Sequence, residues 1–402
     1  MSRKLLPILM MMVVLSPLAI DIYLPSMPEM ALEFSVSDTQ VQSTLVLFIL
    51  AMGIGQILIG PLADRFGRRP IALSGICLYI ASSLFAVSVV EFEYLQLARV
   101  LQGIAACATS IVVFSAVRDR FNAQQSAHYY SYLNGVICVV PALAPTLGGF
   151  LALQFGWRST FIFMTLFAIL VLLVVIFRLP ETRPEHQSNH TALYRWARYQ
   201  PILGNSQFVF YALTCMIGMA SILTYVSYAP SWIIKHLGNS ELTFSFLFGF
   251  NALVNIAACF IAPKVIRQLG NHRTVVMALW LFILSAISQM GLQQIPVENA
   301  LLGGIYFMFP MLFLCVGFAL LLGPATSMAL SAFGERAGTA SALLGCIQMS
   351  GAALLTGLLQ QTSLSAPYAN IVMIGVGGIT LLGIMSLSTY KHWHEERVTS
   401  DS

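Results

Sequence analysis

Runs of about 20 apolar residues recur along the whole chain, and nothing else constrains its fold as strongly. A helix of that length crosses the roughly 30 Å hydrocarbon core of a bilayer. In lipid every backbone N–H and C=O must find a partner inside the protein, which leaves helix bundles and closed barrels as spanning structures. The alternating ten-residue strands of a membrane barrel are not seen in the sequence. Of 402 residues 58% are hydrophobic and only 9% are charged, whereas a soluble domain carries about 25% charged residues. Most of the surface must therefore face something other than water. The expected class is an all-α polytopic membrane protein.

Hydropathy places spans at roughly 5–26, 40–61, 71–90, 93–117, 128–152 and 158–179. After a polar stretch come roughly 206–230, 243–263, 273–292, 301–330, 337–360 and 368–389, about twelve in all. Arg3 and Lys4 before an apolar run resemble a signal peptide, but no small-residue cleavage site follows, so the run is read as an uncleaved first helix. Twelve crossings put both termini and every even-to-odd connection on one side. That side receives Arg3, Lys4, Arg65, Arg68, Arg69, Arg118, Arg120, Arg178, Arg183, Arg195, Arg198, Lys264, Arg267, Arg273, Arg336, Lys391 and Arg397. The other side receives only Arg158 and Lys235, with Glu29, Glu33, Asp38, Glu91, Glu93, Glu241 and Glu298. Positive charge marks the cytoplasm, so both termini are expected there. The net charge of +4 is accounted for by topology and implies no nucleic acid.

The polar segment from Pro180 to about Asn205 divides the chain. The expected organisation is a six-helix bundle over 1–180, a cytoplasmic linker over 181–205, a second six-helix bundle over 206–390 and a cytoplasmic tail over 391–402. A faint repeat supports two halves. Gly60-Pro61-Leu62-Ala63-Asp64-Arg65-Phe66-Gly67-Arg68-Arg69 follows the second span; Ala262-Pro263-Lys264-Val265-Ile266-Arg267-Gln268-Leu269-Gly270-Asn271-His272-Arg273 follows the eighth, with the carboxylate lost.

Charges at membrane depth cost about 2.5–3.5 kcal/mol even on the lenient insertion scale, and so mark function. Asp21 is the one carboxylate placed inside a span, and Arg99 the one comparably deep base. The span limits put both roughly 8–9 Å below the outer interface, which suggests a pair or a shared polar site for proton or substrate coupling; a static buried ion pair is the structural alternative. Around them, Tyr23, Gln56, Asn134, Tyr225, Tyr228, Asn251, Asn255, Tyr306 and Gln348 are polar or aromatic within apolar helices, and are candidates for a drug-sized cavity. Interhelical packing is their other use. In the Gly60–Pro70 loop, glycines permit tight turns, Asp64 can accept from the bare amides of a helix N-terminus, and the arginines can pair with acids. The seven cysteines sit singly in apolar runs with no C-x-x-C pair, so they read as packing residues rather than a metal site.

The loop matches the signature between helices two and three of the major facilitator superfamily: Gly60, Asp64, Arg65, Gly67, Arg68 and Arg69 stand at its marked positions. Asp21-Ile22-Tyr23-Leu24-Pro25, Arg99-Val100-Leu101-Gln102-Gly103, Val117-Arg118-Asp119 and Pro141-Ala142-Leu143-Ala144-Pro145-Thr146-Leu147-Gly148-Gly149 extend the likeness over nearly the whole chain. It resembles the twelve-helix drug:proton antiporter branch, closest to the bicyclomycin/chloramphenicol resistance group. That resemblance implies two rocking bundles, a bacterial inner-membrane location, a small-molecule drug substrate, protons as co-substrate, no cofactor and a monomer. It also implies that Asp64 sits at the start of helix eleven near Gly338, that Arg68 pairs with Asp119, and that this cluster latches the cytoplasmic side. The wider antiporter signature of helix five has glycines where this chain has Ser131, Val140 and Ala144, so that motif alone does not establish antiport.

A narrow-specificity exporter or facilitator of nucleosides, sugars or siderophores on the same fold is the alternative. An enzyme is not expected: there is no H-E-x-x-H, G-x-S-x-G or phosphate-binding Gly-Lys-Ser/Thr loop, and His186, His190, His392 and His394 fall in the polar linker and tail. A channel fits the two-half organisation less well.

Overall fold

A computed structural model describes residues 5–121, 123–183, 198–333 and 337–387. Arg3, Lys4, linker residues 184–197, Arg336 and the tail from 388 onward, with the four histidines named above, lie outside the described residues. Those described are almost entirely helical. The first half holds α1 (Leu5–Asp21), a 3-10 turn (Leu24–Ser26), α2 (Met27–Glu33), α3 (Asp38–Phe66), α4 (Arg68–Ser88), α5 (Phe92–Arg120), α6 (Ala123–Phe155) and α7 (Arg158–Arg178). The second holds α8 (Gln200–Leu203), α9 (Ser206–Pro230), continued as a π-helical turn to His236, α10 (Glu241–Leu292), α11 (Ala300–Leu330) and α12 (Ala337–Gln360). It closes with α13 (Ala366–Ile371) and α14 (Gly377–Ser386), joined by a π turn (Val372–Val376).

Among the described residues, eleven helical stretches are long and apolar enough to span a bilayer. The longest, α10, has 52 residues, which at 1.5 Å per residue is about 78 Å, well over two membrane thicknesses. It breaks at Gly270, whose φ of 77° lies in the left-handed region. Divided there, the described residues make twelve crossings. The break falls in the second copy of the sequence repeat, and the matching glycine of the first copy, Gly67, has φ 103° at the junction of α3 and α4. The repeated glycine is the residue that turns the chain back in both halves.

The first span corrects the expected boundary. Pro25 carries no N–H, so the carbonyl four residues back, at Asp21, loses its helical partner and the helix stops there. Helix resumes after the 3-10 turn and runs to Glu33. Asp21 therefore lies 12 residues from the end of the span rather than about five, and is correspondingly deeper.

Within the first half, α5 packs on α3 and α4, and α1 on α6; the halves meet where α3 runs along α12 and α6 along α10. Small residues make these approaches possible, since lipid tails give no hydrophobic drive between helices. A Cβ on Gly103 would sit 2.3 Å from the carbonyl oxygen of Phe48, and one on Gly148 would sit 1.7 Å from that of Ile22. Large apolar side chains such as Phe177, Phe246 and Phe260 are exposed on the outside, as a lipid-facing surface requires.

Candidate functional site

The break after Asp21 is held from two sides. Gly148 of α6 lies directly against the Ile22 carbonyl, while Arg99 of α5 donates from Nη2 to the carbonyl oxygen of Ala19 at 2.9 Å. Arg99 is fully buried and sits over the rings of Tyr23 (4.4 Å) and Phe48 (4.6 Å). Its Nη1 donates to Gln102 Oε1, and Gln102 Nε2 in turn donates to Ser83 Oγ at 2.8 Å. The i, i+3 spacing of Arg99 and Gln102 brings the two side chains onto one face of α5. Gly103, the next residue, lets α5 approach α3 closely enough for Phe48 to reach the guanidinium.

Asp21 is buried, with 4% of its surface accessible. Among the described residues no ion pair joins it to Arg99. Of the two arrangements expected, a pair or a shared polar site, the ion pair is not formed, and the partners of Arg99 give the reason. Arg99 directs its donors to the Ala19 carbonyl and to Gln102, and its planar face to the rings of Tyr23 and Phe48. Matching depth did not mean matching direction. Asp21 instead lies within electrostatic reach of Tyr225, which belongs to α9 in the other half.

Tyr225 is tied into the second half. Asn251 of α10 donates from Nδ2 to the Tyr225 hydroxyl (3.2 Å) and to the Met308 carbonyl (3.1 Å), and the Tyr225 ring stacks on Phe248. Tyr225 and Asn251 thus form one hydrogen-bonded group in the second half, with Asp21 of the first half within electrostatic reach of the tyrosine. The other cavity candidates scatter. Tyr23 is fully buried among Arg99, Phe161 and Thr44, whose Oγ1 is 3.2 Å from its hydroxyl, so it belongs to the core of the first half and not to a cavity wall. Tyr228 is buried, Asn134 is exposed on α6, and Gln348 is partly buried on α12. Gln56 of α3 packs against Gly345 of α12, and Asn255 keeps a buried Oδ1 with no partner. On α6, Pro141 and Pro145 lie within the helix, and the Pro145 carbonyl accepts from Ser245 of α10 at 3.0 Å, beside Gly149.

At the arginine-rich end, Arg68 is the hub. Its Nη1 lies 2.6 Å from Asp64 and its Nε 2.8 Å from Asp119. Arg68 and Asp119 are buried, whereas Asp64 is half exposed. Against the start of α12, at Gly338, stands Arg118. The carboxylate that occupies bare helix amides in this loop is Glu181: it accepts from the backbone N–H of Arg68 (2.8 Å) and Arg69 (3.1 Å) at the start of α4, and from those of Thr182 and Arg183. Burial works to raise the Glu181 carboxyl, but the four N–H donors from Arg183, Arg68, Arg69 and Thr182 outweigh it and hold the group below the usual carboxylate range. Gly67 is needed twice over, for its positive φ and because a Cβ there would lie 2.5 Å from Glu181 Oε2. Gly60, by contrast, faces open space within α3. Arg69 donates to the Ile176 carbonyl at 2.8 Å, Arg65 lies exposed over Phe66, and Arg183 and Arg120 donate to the carbonyls of Arg65 and Glu181.

The sequence reading missed Glu181 and both devices at the opposite end. There Glu33 accepts from Trp157 Nε1 at 2.6 Å and from Arg158, which also donates to the Val87 and Val89 carbonyls. Lys235, at the end of the α9 extension, pairs with Asp38 at the start of α3 at 2.9 Å. That pair crosses from one half to the other. The signal was present, since Arg158 and Lys235 are the two bases assigned to the acid-rich side, where each has an acid to meet.

Two helical half-bundles, a break in the first span beside a buried carboxylate, and ion pairs that either brace one half or bridge both define a polytopic membrane transporter. The model of the Major Facilitator Superfamily matches residues 9–356, and the chain belongs to that family. It is 31% identical over 388 residues to a multidrug resistance protein MdtL of Klebsiella pneumoniae, covering 96% of each chain. To the protein of that name in Shewanella oneidensis it is 29% identical over 377 residues, covering 93% of each. Among solved structures it is similar to a D-xylose-proton symporter, with a TM-score of 0.75 at 17% identity over 94% of this chain and 96% of that one. A partially occluded inward-open xylose transporter of E. coli gives 0.74 at 15% identity, over 95% and 96%. At such identities the likeness shows the fold.

Proposed function

We propose that this chain exports small amphipathic drugs, of the kind represented by chloramphenicol or bicyclomycin, in exchange for protons. The multidrug resistance names of its relatives support the substrate class. The observation that carries the coupling is Asp21: a buried carboxyl group with no ion pair among the described residues, at a helix break, within reach of Tyr225 on the other half. Protonated, it is neutral and tolerates enclosure; deprotonated, it calls for a cationic or hydrogen-bond-donating guest. Alternation between those states favours different arrangements of the two halves. Arg99 positions the segment that carries Asp21 and supplies no counter-charge.

In this reading the arginine-rich end is cytoplasmic, in a bacterial inner membrane, and both termini lie on that side. The bundles are 1–180 and 206–390, joined by the linker 181–205. The Arg68–Asp64–Asp119 cluster braces the cytoplasmic end and Asp38–Lys235 the outer end. One chain supplies both halves, so a monomer suffices. The test is drug uptake into energised inverted vesicles by the intact protein and by Asp21→Asn, each with and without a proton uncoupler. Uncoupler-sensitive uptake that falls to background in the variant, at unchanged membrane content, is expected. Full uptake by Asp21→Asn would remove the coupling residue; no uptake of any drug by the intact protein would turn the reading to a metabolite exporter.

A further inference from the structure

Cys138 on α6 and Cys259 on α10 place their Sγ atoms 3.7 Å apart. Each belongs to a different half, so two thiols meet across the seam that a transport cycle must shear. The backbones on either side are already close. Ser245 Oγ donates to the Pro145 carbonyl at 3.0 Å, and a Cβ on Gly249 would lie 3.3 Å from the Ala142 carbonyl oxygen. A disulfide needs sulfurs about 2.05 Å apart, so these must close by about 1.7 Å. Both thiols are partly accessible, unlike Cys107, Cys215 and Cys315. Read singly along the sequence, the two cysteines are packing residues; the fold makes them a pair.

We propose that Cys138 and Cys259 form an oxidisable dithiol, which a bilayer-permeant two-electron oxidant of the diazene class converts to a disulfide that arrests the cycle. One thiol adds across the N=N bond, its sulfur to one nitrogen and its proton to the other. The second sulfur then attacks the first, the S–N bond breaks, the S–S bond forms, and the second proton completes the hydrazine. Two electrons pass from the thiols to the diazene, and a thiol reductant reverses the result. The inference rests on the transporter reading only in requiring the two halves to move. Its chemical step is read independently of any substrate.

The experiment treats membranes containing the full chain with diamide, alkylates remaining thiols, and identifies linked peptides by mass spectrometry. A Cys138–Cys259 peptide is expected in most molecules. Uptake of ethidium into inverted vesicles is expected to fall at least tenfold and to return with dithiothreitol. The Cys138→Ala/Cys259→Ala double variant is expected to work normally and to ignore diamide. Should ethidium not be carried, the readout is the distribution of distances between spin labels at Thr39 and His236, which diamide is expected to narrow in the intact protein alone. Alkylation of both cysteines after diamide overturns the proposal, as does recovery of a different cysteine pair. So does unchanged motion in molecules shown to be linked, or equal inhibition of the double variant. If the double variant is inactive, Cys138→Ser and Cys259→Ser separately decide: each must escape diamide.

Discussion

Replacing Gly148 with alanine would put a methyl group 1.7 Å from the carbonyl oxygen of Ile22. That oxygen belongs to the backbone at the break of the first span, so no rotamer change moves it away. To restore an ordinary contact of about 3.4 Å, α6 and α1 would have to part by about 1.7 Å, in a region packed as tightly as a crystal. Overpacking of that kind costs about 1–3 kcal/mol, and more where backbone is the obstacle. Gly135 on the same helix is the control, because a Cβ there meets nothing within 4 Å. Alanine at that position is expected to be neutral or to stabilise by about 0.5–1 kcal/mol through helix propensity. The assay is thermal unfolding in detergent, with drug efflux measured in parallel. Gly148→Ala is expected to lower the midpoint by several degrees and to reduce efflux, since the displaced segment carries Asp21; Gly135→Ala is expected to do neither. Equal behaviour of the two variants would refute the claim that α6 is seated on the helix break.

Three further outcomes are expected. Arg99→Lys keeps the charge but cannot hold both Gln102 and the Ala19 carbonyl in one planar fork, so a loss of about 1–3 kcal/mol on unfolding and a sharp fall in efflux should be seen. Glu181 is held below its ordinary carboxylate range in the native protein, so its contribution is present above the unfolded value and disappears as pH falls through the native one. Glu181→Gln should therefore flatten the acid side of a stability-against-pH curve and leave the alkaline side unchanged. Lys235→Ala removes a bridge between the halves at the end remote from the arginine loop, and the spin-label distance between Thr39 and His236 should shift toward longer values; an unchanged distribution would show that the ion pair restrains nothing.

Much of the fold was legible because hydropathy and the loop repeat mark where the apolar spans begin and end. The spans, and the two glycines that reverse the chain at positions 67 and 270, follow from those signals. What escaped was pairing. Asp21 and Arg99 were matched in height, yet Arg99 bonds to Gln102 and to the Ala19 carbonyl, and not to Asp21. The first span was placed at 5–26, and nothing local said that helix would break after Asp21 and resume to Glu33. Glu181 escaped for another reason: in a polar connector a carboxylate looks solvated until the N-terminus of α4 is brought beside it, 112 residues away in sequence. The cysteine pair is a contact of the same long-range kind.

The two reversing glycines carry a consequence for how the halves have diverged. Gly67 is enclosed by Glu181 and by the arginines of its loop, whereas Gly270 is exposed, with nothing within 4 Å of where a side chain would begin. The repeated segment keeps its reversing glycine in both copies, and its basic residues as well (Lys264, Arg267 and Arg273 in the second), but has its carboxylate, Asp64, in only the first. With no acid between Ala262 and Arg273, the second loop has nothing of its own to hold an arginine as Asp64 holds Arg68, so an internally ion-paired loop belongs to the first half alone.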